Sequence, residues 1–293
     1  MLLHMTPITV TDVRVVSGDC AFLLDDGKTA VLYDTGFAFN GCAIAENIKN
    51  VLGSRKLDYI LLTHSHYDHV LATPYITKAY PDAKVIAGEY VAQIFQRPTA
   101  KAIMRDLDSK AAIKYGAPEY EDLIDLLKVD ITVKDGDSFQ CGDFLFTSIA
   151  LPGHTHCSYG FYLPEHKLLL GSETLGVYFG YGTYLPFFLV GYQLTLDSFA
   201  KVRRLDVEKI LLPHYGVVDR EEAEVYLQNS EESTREIAGT MLSMLKEGKT
   251  SEEILAFFED RDYRENVSPT YPIDAFHLNT GIMIEQIRKE LLK

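Results

Sequence analysis

The stretch "LLTHSHYDHV", residues 61–70, contains an unusual density of metal-binding side chains. It places His64, His66, Asp68 and His69 within six positions, directly behind an apolar run. If residues 57–63 form a strand, these side chains begin a loop at its carboxyl end, where active sites of layered α/β proteins tend to lie. Alternate residues of an extended segment project to one side, so the first two histidines can bind the same ion. Since the chain has nine histidines among 293 residues, this spacing favours a metal site over a chance cluster.

Three further candidate ligands follow other apolar runs and lie in loops of small residues. His154 lies in "LPGHTHCSYG", Glu173 lies in "LLLGSETLG", and His214 lies in "KILLPHYG". Imidazole and carboxylate ligands together suit zinc, iron or manganese better than calcium or magnesium, which prefer oxygen ligands alone. Five imidazoles and two carboxylates would support two ions. We therefore expect two divalent metal ions, with zinc favoured and iron or manganese as alternatives.

Two residues close to His154 are weaker candidates. His156 is two positions beyond it, and we expect His156 to contact substrate rather than metal. Cys157 could bind an ion as a thiolate, but a buried thiol is the simpler interpretation of its spacing. Three other histidines are interpreted as surface or packing residues, although the last of them could fold over the site: His4, His166 and His277.

These motifs together resemble the metallo-β-lactamase-fold superfamily. The family pattern HxHxDH is complete at residues 64–69, and the two later histidines of the family match His154 and His214. The resemblance covers about residues 10–218 and is specific for fold but not for substrate. The ligands that it implies are His64, His66 and His154 for the first metal, and Asp68, His69 and His214 for the second.

The bridging position departs from the family pattern. Family members usually bridge the two ions with an aspartate after a Gly-Asp turn, and here that position reads Gly171-Ser172-Glu173. A glutamate reaches one methylene further, so Glu173 can bridge, bind one ion only or alter the preferred metal. The family's strand end of the LIDTG type is present at residues 32–36, and the resemblance implies that Asp34 orients a ligand histidine.

The order of the predicted elements fits an α+β protein. Strand patterns fill residues 8–36, helical patterning dominates residues 89–128, strand patterns return from residue 129, and strongly helical sequence follows Val218. The resemblance implies a four-layer αββα metallo-β-lactamase-like sandwich with a C-terminal helical extension. We expect a domain at residues 1–218, with its helical insert at about 89–128, and an extension at 219–293 packed on that domain.

Charge and composition limit the classes of partner. A formal net charge of −14 argues against binding to nucleic-acid phosphates or anionic membranes. No apolar stretch approaches the roughly 20 residues needed to cross a bilayer. The four cysteines form no CxxC pair and are interpreted as free thiols, so a cytoplasmic location is expected. We expect a small-molecule substrate, no nucleic acid and no membrane, with a homodimer through the apolar stretch near Phe187 as an open alternative.

The expected chemistry needs no serine or cysteine nucleophile. Metal ions can lower the pKa of bound water from about 15.7 toward about 7, and they polarise the oxygen of the substrate that is attacked. We therefore expect a dinuclear metal-dependent hydrolase that uses a metal-bound hydroxide on a thioester, ester or lactone. Asp68 is the candidate catalytic residue, as a proton shuttle to the leaving group.

The stretch at residues 174–193 is rich in tyrosine, phenylalanine and glycine. It is interpreted either as apolar core or as a loop that lines the substrate pocket, with tyrosine hydroxyls as donors and phenylalanine rings as walls. Such a pocket favours an acyl or aromatic group over a bare phosphate. Together with His156, the predicted pocket residues are Tyr178, Phe179, Tyr181, Tyr184, Phe187, Phe188 and Tyr192.

Other functions remain open at this point. The same dinuclear site could serve a phosphodiesterase. Alternatively, the chain could be a metal-loaded ligand-binding or regulatory protein with vestigial catalysis, an alternative that rests on the unusual Glu173. An oxygen-reducing diiron enzyme of the flavodiiron type ranks last, because that branch has a glutamate in place of His66 and carries a fused flavin domain.

Overall fold

The computed structural model describes residues 7–264 and 266–292, and these divide into two compact units. The first unit contains the described residues up to Ala150 together with Tyr159–Leu170. The second unit contains Leu151–Ser158 together with the described residues from Gly171 onward. His4 lies outside the described residues. The organisation into a domain at 1–218 and an extension at 219–293 stays a prediction.

A sheet with both antiparallel and parallel strands begins the first unit. Its strands are β1 (Thr9–Asp12), β2 (Phe22–Asp25), β3 (Ala30–Tyr33), β4 (Tyr59–Leu62), β5 (Lys84–Gly88) and β6 (Ile131–Val133). They lie side by side in chain order, antiparallel from β1 to β3 and parallel from β3 to β6. The helices that follow its strands are α1 (Gly41–Leu52), α2 (Tyr67–Val70), α3 (Thr73–Ala79), α4 (Glu89–Ile94) and α5 (Pro98–Lys114). Of the helical patterning predicted at residues 89–128, the part up to Lys114 forms α4 and α5, whereas residues 115–128 contain only the short helix Ile124–Leu126.

The parallel pair β3 and β4 positions the first candidate ligands. All four residues of β3 are buried, which explains its uninterrupted apolar sequence. The strand predicted at residues 57–63 is confirmed as β4. The carboxyl ends of both strands meet at one edge, where the amide of Asp34 donates to the carbonyl of Leu61 at 2.9 Å. This pairing brings the residue after β3 next to the loop that begins with His64.

A second group of strands in the first unit is fully antiparallel. It contains β7 (Ser138–Cys141), β8 (Phe144–Ala150), β9 (Tyr159–Leu163) and β10 (Leu168–Leu170), in the order β10-β9-β8-β7. Strand β9 enters beside the end of β4, since the amide of Tyr159 donates to the carbonyl of Thr63 at 2.8 Å. A side chain on Gly88 would collide with the ring of Tyr159, so this close approach requires glycine.

The second unit combines two hairpins with long helices. Its elements are β11 (Val177–Tyr178), β12 (Tyr184–Leu185), α6 (Tyr192–Val202), β13 (Lys209–Leu212), β14 (Gly216–Asp219), α7 (Glu221–Lys246), α8 (Ser251–Asp262) and α9 (Ile273–Glu290). A capping box between Thr250 and Glu253 fixes the start of α8. An apolar core that includes Phe188, Met241 and Ile284 holds the helices together. None of the described helices is long and apolar enough to cross a membrane.

A buried carboxyl group on α5 makes the stability of the first unit depend on pH. Asp108 is 1% exposed, and burial raises its pKa to about 6, although hydrogen bonds from Tyr120 and from the amide of Ala38 oppose this shift. A carboxyl group with a raised folded-state pKa stabilises the fold at pH values below its unfolded pKa of 3.8. That contribution is lost as the pH rises through about 6.

Asp108→Asn, which cannot ionise, is therefore expected to raise the free energy of unfolding at neutral pH by on the order of 2–3 kcal/mol. At about pH 4 the difference from the wild type should be small. Urea unfolding at both pH values measures it, with the exposed Asp106→Asn on the same helix as control. Equal stability of wild type and Asp108→Asn at neutral pH would contradict this reasoning.

Candidate metal centre

Four side chains after β4 form the histidine set, defined as His64, His66, Asp68 and His69. The rings of His64 and His66 lie 4.5 Å apart between centroids, and those of His64 and His69 lie 4.2 Å apart. His66 has extended backbone angles and directly precedes α2, so the chain turns after it as the motif predicts. His64 and His69 are fully buried, whereas His66 and Asp68 remain partly exposed.

Hydrogen bonds behind the histidine set fix its imidazole rings. The carboxylate of Asp34 accepts from the amide of Thr63, from the hydroxyl of Thr63 and from Nδ1 of His69, each at 2.8 Å. The same hydroxyl lies 3.0 Å from Nδ1 of His64 and accepts its proton. Because Nδ1 of both rings is used in this way, Nε2 is the atom of each ring that would coordinate an ion.

Asp34 has an unusual backbone conformation, and its carboxylate affects the charge of His69. Asp34 has a φ of 51°, a left-handed conformation that costs energy in a residue other than glycine. Burial by itself lowers the pKa of His69, but the carboxylates of Asp68 and Asp34 outweigh it and hold that pKa well above its usual value. The surroundings of His69 therefore favour positive charge, whether this is a proton or a metal ion.

The glutamate set, defined as His154, Glu173 and His214, lies in the second unit. Glu173 Oε2 is 2.8 Å from Nε2 of His154, and its other oxygen is 3.4 Å from Nε2 of His214. Nδ1 of His154 donates to the carbonyl of Phe187 at 3.1 Å. An imidazole with that tautomer presents a lone pair toward the carboxylate, so the contact requires a proton or a cation. This donor set fits a divalent metal ion.

The weaker candidates from the sequence have environments that differ from that of the glutamate set. His156 is exposed, unlike the buried His154. Cys157 is buried and lies 3.2 Å from the hydroxyl of Thr155, consistent with a packing thiol. His277 contacts Glu259 at 2.7 Å in the helical part of the chain.

The residues of the predicted substrate pocket have diverse environments within the second unit. Tyr178 and Tyr184 stack with centroids 4.8 Å apart and remain partly exposed, whereas Tyr181 is 97% exposed at the tip of their hairpin. Phe187 and Phe188 are buried in the apolar core, against which Phe179 and Tyr192 also pack. The stretch thus supplies both core and partly exposed aromatic surface, and its role as a pocket stays a prediction.

Sequence reasoning missed three residues that lie close to the two sets. The only signal for Thr63 in the sequence is its position at the end of an apolar run. The thiol of Cys20 lies 3.5 Å from Asp34, and the sequence identifies Cys20 only as a free cysteine. Tyr215 follows His214 directly, and its ring lies 4.6 Å from that of Tyr178. Its position next to a candidate ligand was a signal that could have identified it.

Removing the charge of Asp34 is expected to weaken metal binding without removing any ligand. Asp34→Asn loses the charge and keeps only one acceptor oxygen, which cannot serve both the amide of Thr63 and Nδ1 of His69. Such changes typically cost about 10–100-fold in metal affinity. Competition with a chromogenic chelator measures that affinity. Asp58→Asn, which changes a carboxylate near the start of β4, serves as control. Wild-type affinity in Asp34→Asn would show that the orientation of His69 does not depend on this bond.

The chain belongs to the metallo-β-lactamase superfamily, whose family model matches residues 15–214. The match includes both the histidine set and the glutamate set. The predicted α+β metallo-β-lactamase-like fold is confirmed by this match and by solved structures. Family membership supports a metal-dependent hydrolase.

Individual relatives show how far the similarity extends. A "Beta-lactamase-like protein 2 homolog" from Caenorhabditis elegans is 28% identical over 79% of this chain and 67% of its own length. A hydroxyacylglutathione hydrolase from Brucella anthropi is 29% identical over 41% of this chain, and the match spans 34% of that protein. A metallo-beta-lactamase family protein from Thermus thermophilus superimposes with a TM-score of 0.62 at 18% identity, covering 92% of this chain and 88% of that one. The last comparison concerns the fold alone.

Proposed function

We propose that the chain is a dinuclear metal-dependent hydrolase of acyl compounds, with a thioester, ester or lactone as substrate. The histidine set and the glutamate set together would hold two divalent ions, with zinc favoured. The observation that carries this proposal is the buried carboxylate of Glu173, whose two oxygens contact the imidazoles of His154 and His214.

Each residue then has a definite task. Divalent ions, when bound, acidify water and polarise the carbonyl group of an acyl substrate. Thr63 and Asp34 hold the rings of His64 and His69 in one orientation. Glu173 supplies negative charge, which raises the affinity of the neighbouring imidazole ligands for a cation.

Asp68 would move protons at its carboxylate. Its side chain is 22% exposed, whereas that of His69 is fully buried, so Asp68 can exchange protons with solvent and substrate. Its Oδ2 lies 3.9 Å from Nε2 of His69. We assign it the transfer of a proton to the departing thiol or alcohol.

An acyl substrate is favoured by two lines of support. One relative is named as a hydrolase of hydroxyacylglutathione. In addition, the partly exposed rings of Tyr178, Tyr184 and Tyr215 offer hydroxyl groups and apolar surface beside His214. Such mixed aromatic surfaces suit an acyl group with a carbonyl better than a bare phosphate.

Initial rates on matched thioester, lactone and phosphodiester substrates test the proposal. The protein is stripped of metal and reloaded separately with Zn²⁺, Mn²⁺ or Fe²⁺, and a chelated sample is the control. Chelator-sensitive turnover of a thioester, ester or lactone is the expected result. Turnover of the phosphodiester alone would replace the proposed substrate class. No turnover with any reloaded metal would favour a ligand-binding protein.

A further inference from the structure

An aromatic cluster in the first unit is not used by the site described above. The aromatic patch is defined as Phe37, Phe39, Tyr67 and Tyr115. Phe37 lies at its centre, with its ring centroid 4.9 Å from that of Phe39, 5.6 Å from that of Tyr67 and 6.0 Å from that of Tyr115. Phe39 and Tyr115 also contact each other, with centroids 6.0 Å apart.

The aromatic patch is continuous with the open side of the histidine set. Tyr67 stands between His66 and Asp68, and these three consecutive residues are partly exposed, whereas His64 and His69 are fully buried. The accessible edge of the set therefore borders on a ring of the patch. Three elements meet here, since α2 packs against both α5 and the short helix Ala38–Asn40.

The rings of the aromatic patch differ in their exposure to solvent. Phe37 is 4% exposed, while Phe39, Tyr67 and Tyr115 are all partly exposed. Elsewhere in this unit large rings such as those of Phe95, Phe146 and Phe161 are fully buried. Adjacent apolar rings that stay accessible beside a candidate catalytic group indicate a surface for a ligand.

The hydroxyl of Tyr115 is held by hydrogen bonds with the side chain of Ser17 and the backbone of Gly18. This hydroxyl occupies the space beside Gly18, where an added Cβ would lie 2.7 Å from it. Burial also raises the pKa of Tyr115, so its hydroxyl stays neutral at physiological pH. Since Tyr115 follows the helix α5, the insert at residues 89–128 supplies one side of the patch.

We infer that the aromatic patch binds the apolar acyl chain of the substrate and makes the enzyme prefer medium-length or aromatic acyl groups over acetyl. This inference rests on the proposed hydrolase function and names the part of the substrate that sets its specificity. The apolar chain lies against Phe39 and Tyr115 while its carbonyl carbon is next to His66 and Asp68. The helical insert then determines chain-length preference.

The first experiment compares kcat/KM for octanoyl, phenylacetyl and acetyl thioesters of one thiol. Each methylene that reaches the patch raises kcat/KM by up to about 4-fold, so octanoyl should exceed acetyl by roughly 10–100-fold. Phe39→Ala and Tyr115→Ala are expected to lower this ratio by about 10-fold. The milder Phe39→Leu should lower it less. Ile113→Ala, at a 70% exposed position near the end of α5, is the matched control and should keep the ratio.

A second experiment separates this inference from the proposed function. Calorimetry on the zinc-loaded protein compares S-octyl and S-ethyl thioethers of the same thiol, which cannot be hydrolysed. Tighter binding of the octyl compound by about 10-fold or more, lost in Phe39→Ala, supports the patch even if no acyl compound is turned over. Equal binding of both thioethers, or a chain-length preference that persists in Phe39→Ala and Tyr115→Ala, overturns it.

Discussion

Replacing Glu173 by glutamine is expected to lower kcat/KM by roughly 10³-fold and to reduce bound metal. The substitution keeps the size of the side chain but removes its negative charge. That charge faces Nε2 of His154 at 2.8 Å and Nε2 of His214 at 3.4 Å, at a position with little access to solvent. Without it, two imidazoles and a neutral amide attract a divalent cation much less strongly.

Glu173→Asp shortens the side chain at the same position and leaves its charge unchanged. Aspartate is the usual bridging residue of the family, and it keeps the charge while its carboxylate withdraws by one methylene. We expect activity between those of the wild type and Glu173→Gln, with metal retained. Glu165→Gln, an exposed residue in the short helix before β10, is the control. Full activity and full metal content in Glu173→Gln would exclude Glu173 as a ligand.

Asp68→Asn is expected to lower kcat by on the order of 10²–10⁴-fold, the usual range for general acid–base groups. The loss should depend on the leaving group. Alkyl esters release strongly basic alkoxides, which need a proton, whereas thiolates and nitrophenolates are weaker bases that can leave without one. A proton shuttle therefore predicts a large defect with alkyl esters and a small defect with thioesters and nitrophenyl esters.

Metal content separates this role of Asp68 from a role as ligand. If Asp68→Asn retains metal while losing turnover of alkyl esters, the proton-shuttle assignment is supported. An equal defect for both kinds of leaving group, accompanied by loss of an ion, would assign Asp68 to metal binding alone. Asp82→Asn, at an exposed position, controls for the loss of one negative charge.

The sequence predicted the parts of this protein that depend on local pattern. The strand β4 and the turn after His66 follow from an apolar run that ends in a histidine-rich loop. Helical patterning after Val218 predicted α7, α8 and α9. His154 is buried and contacts Glu173, whereas His156 is exposed, and the choice of His154 as the ligand stays a prediction.

What the sequence could not predict depends on contacts between distant residues. Nothing local to Thr63 indicates that its hydroxyl links His64 to Asp34, since this link requires the parallel pairing of β3 and β4. The aromatic patch likewise brings together Phe37 and Tyr115, which are far apart in the sequence. The partition of residues 174–193 into buried core and exposed hairpin was unpredictable for the same reason, because glycine and aromatic residues suit both.

The metal content of the reloaded protein tests the central claim most directly. Plasma mass spectrometry after dialysis against zinc, compared with a chelated sample, counts the ions that each chain retains. The proposal that the histidine set and the glutamate set hold a dinuclear centre predicts two ions per chain, reduced to one or fewer in Glu173→Gln. Retention of no ion by the wild type, or the same content in the wild type and Glu173→Gln, would contradict it.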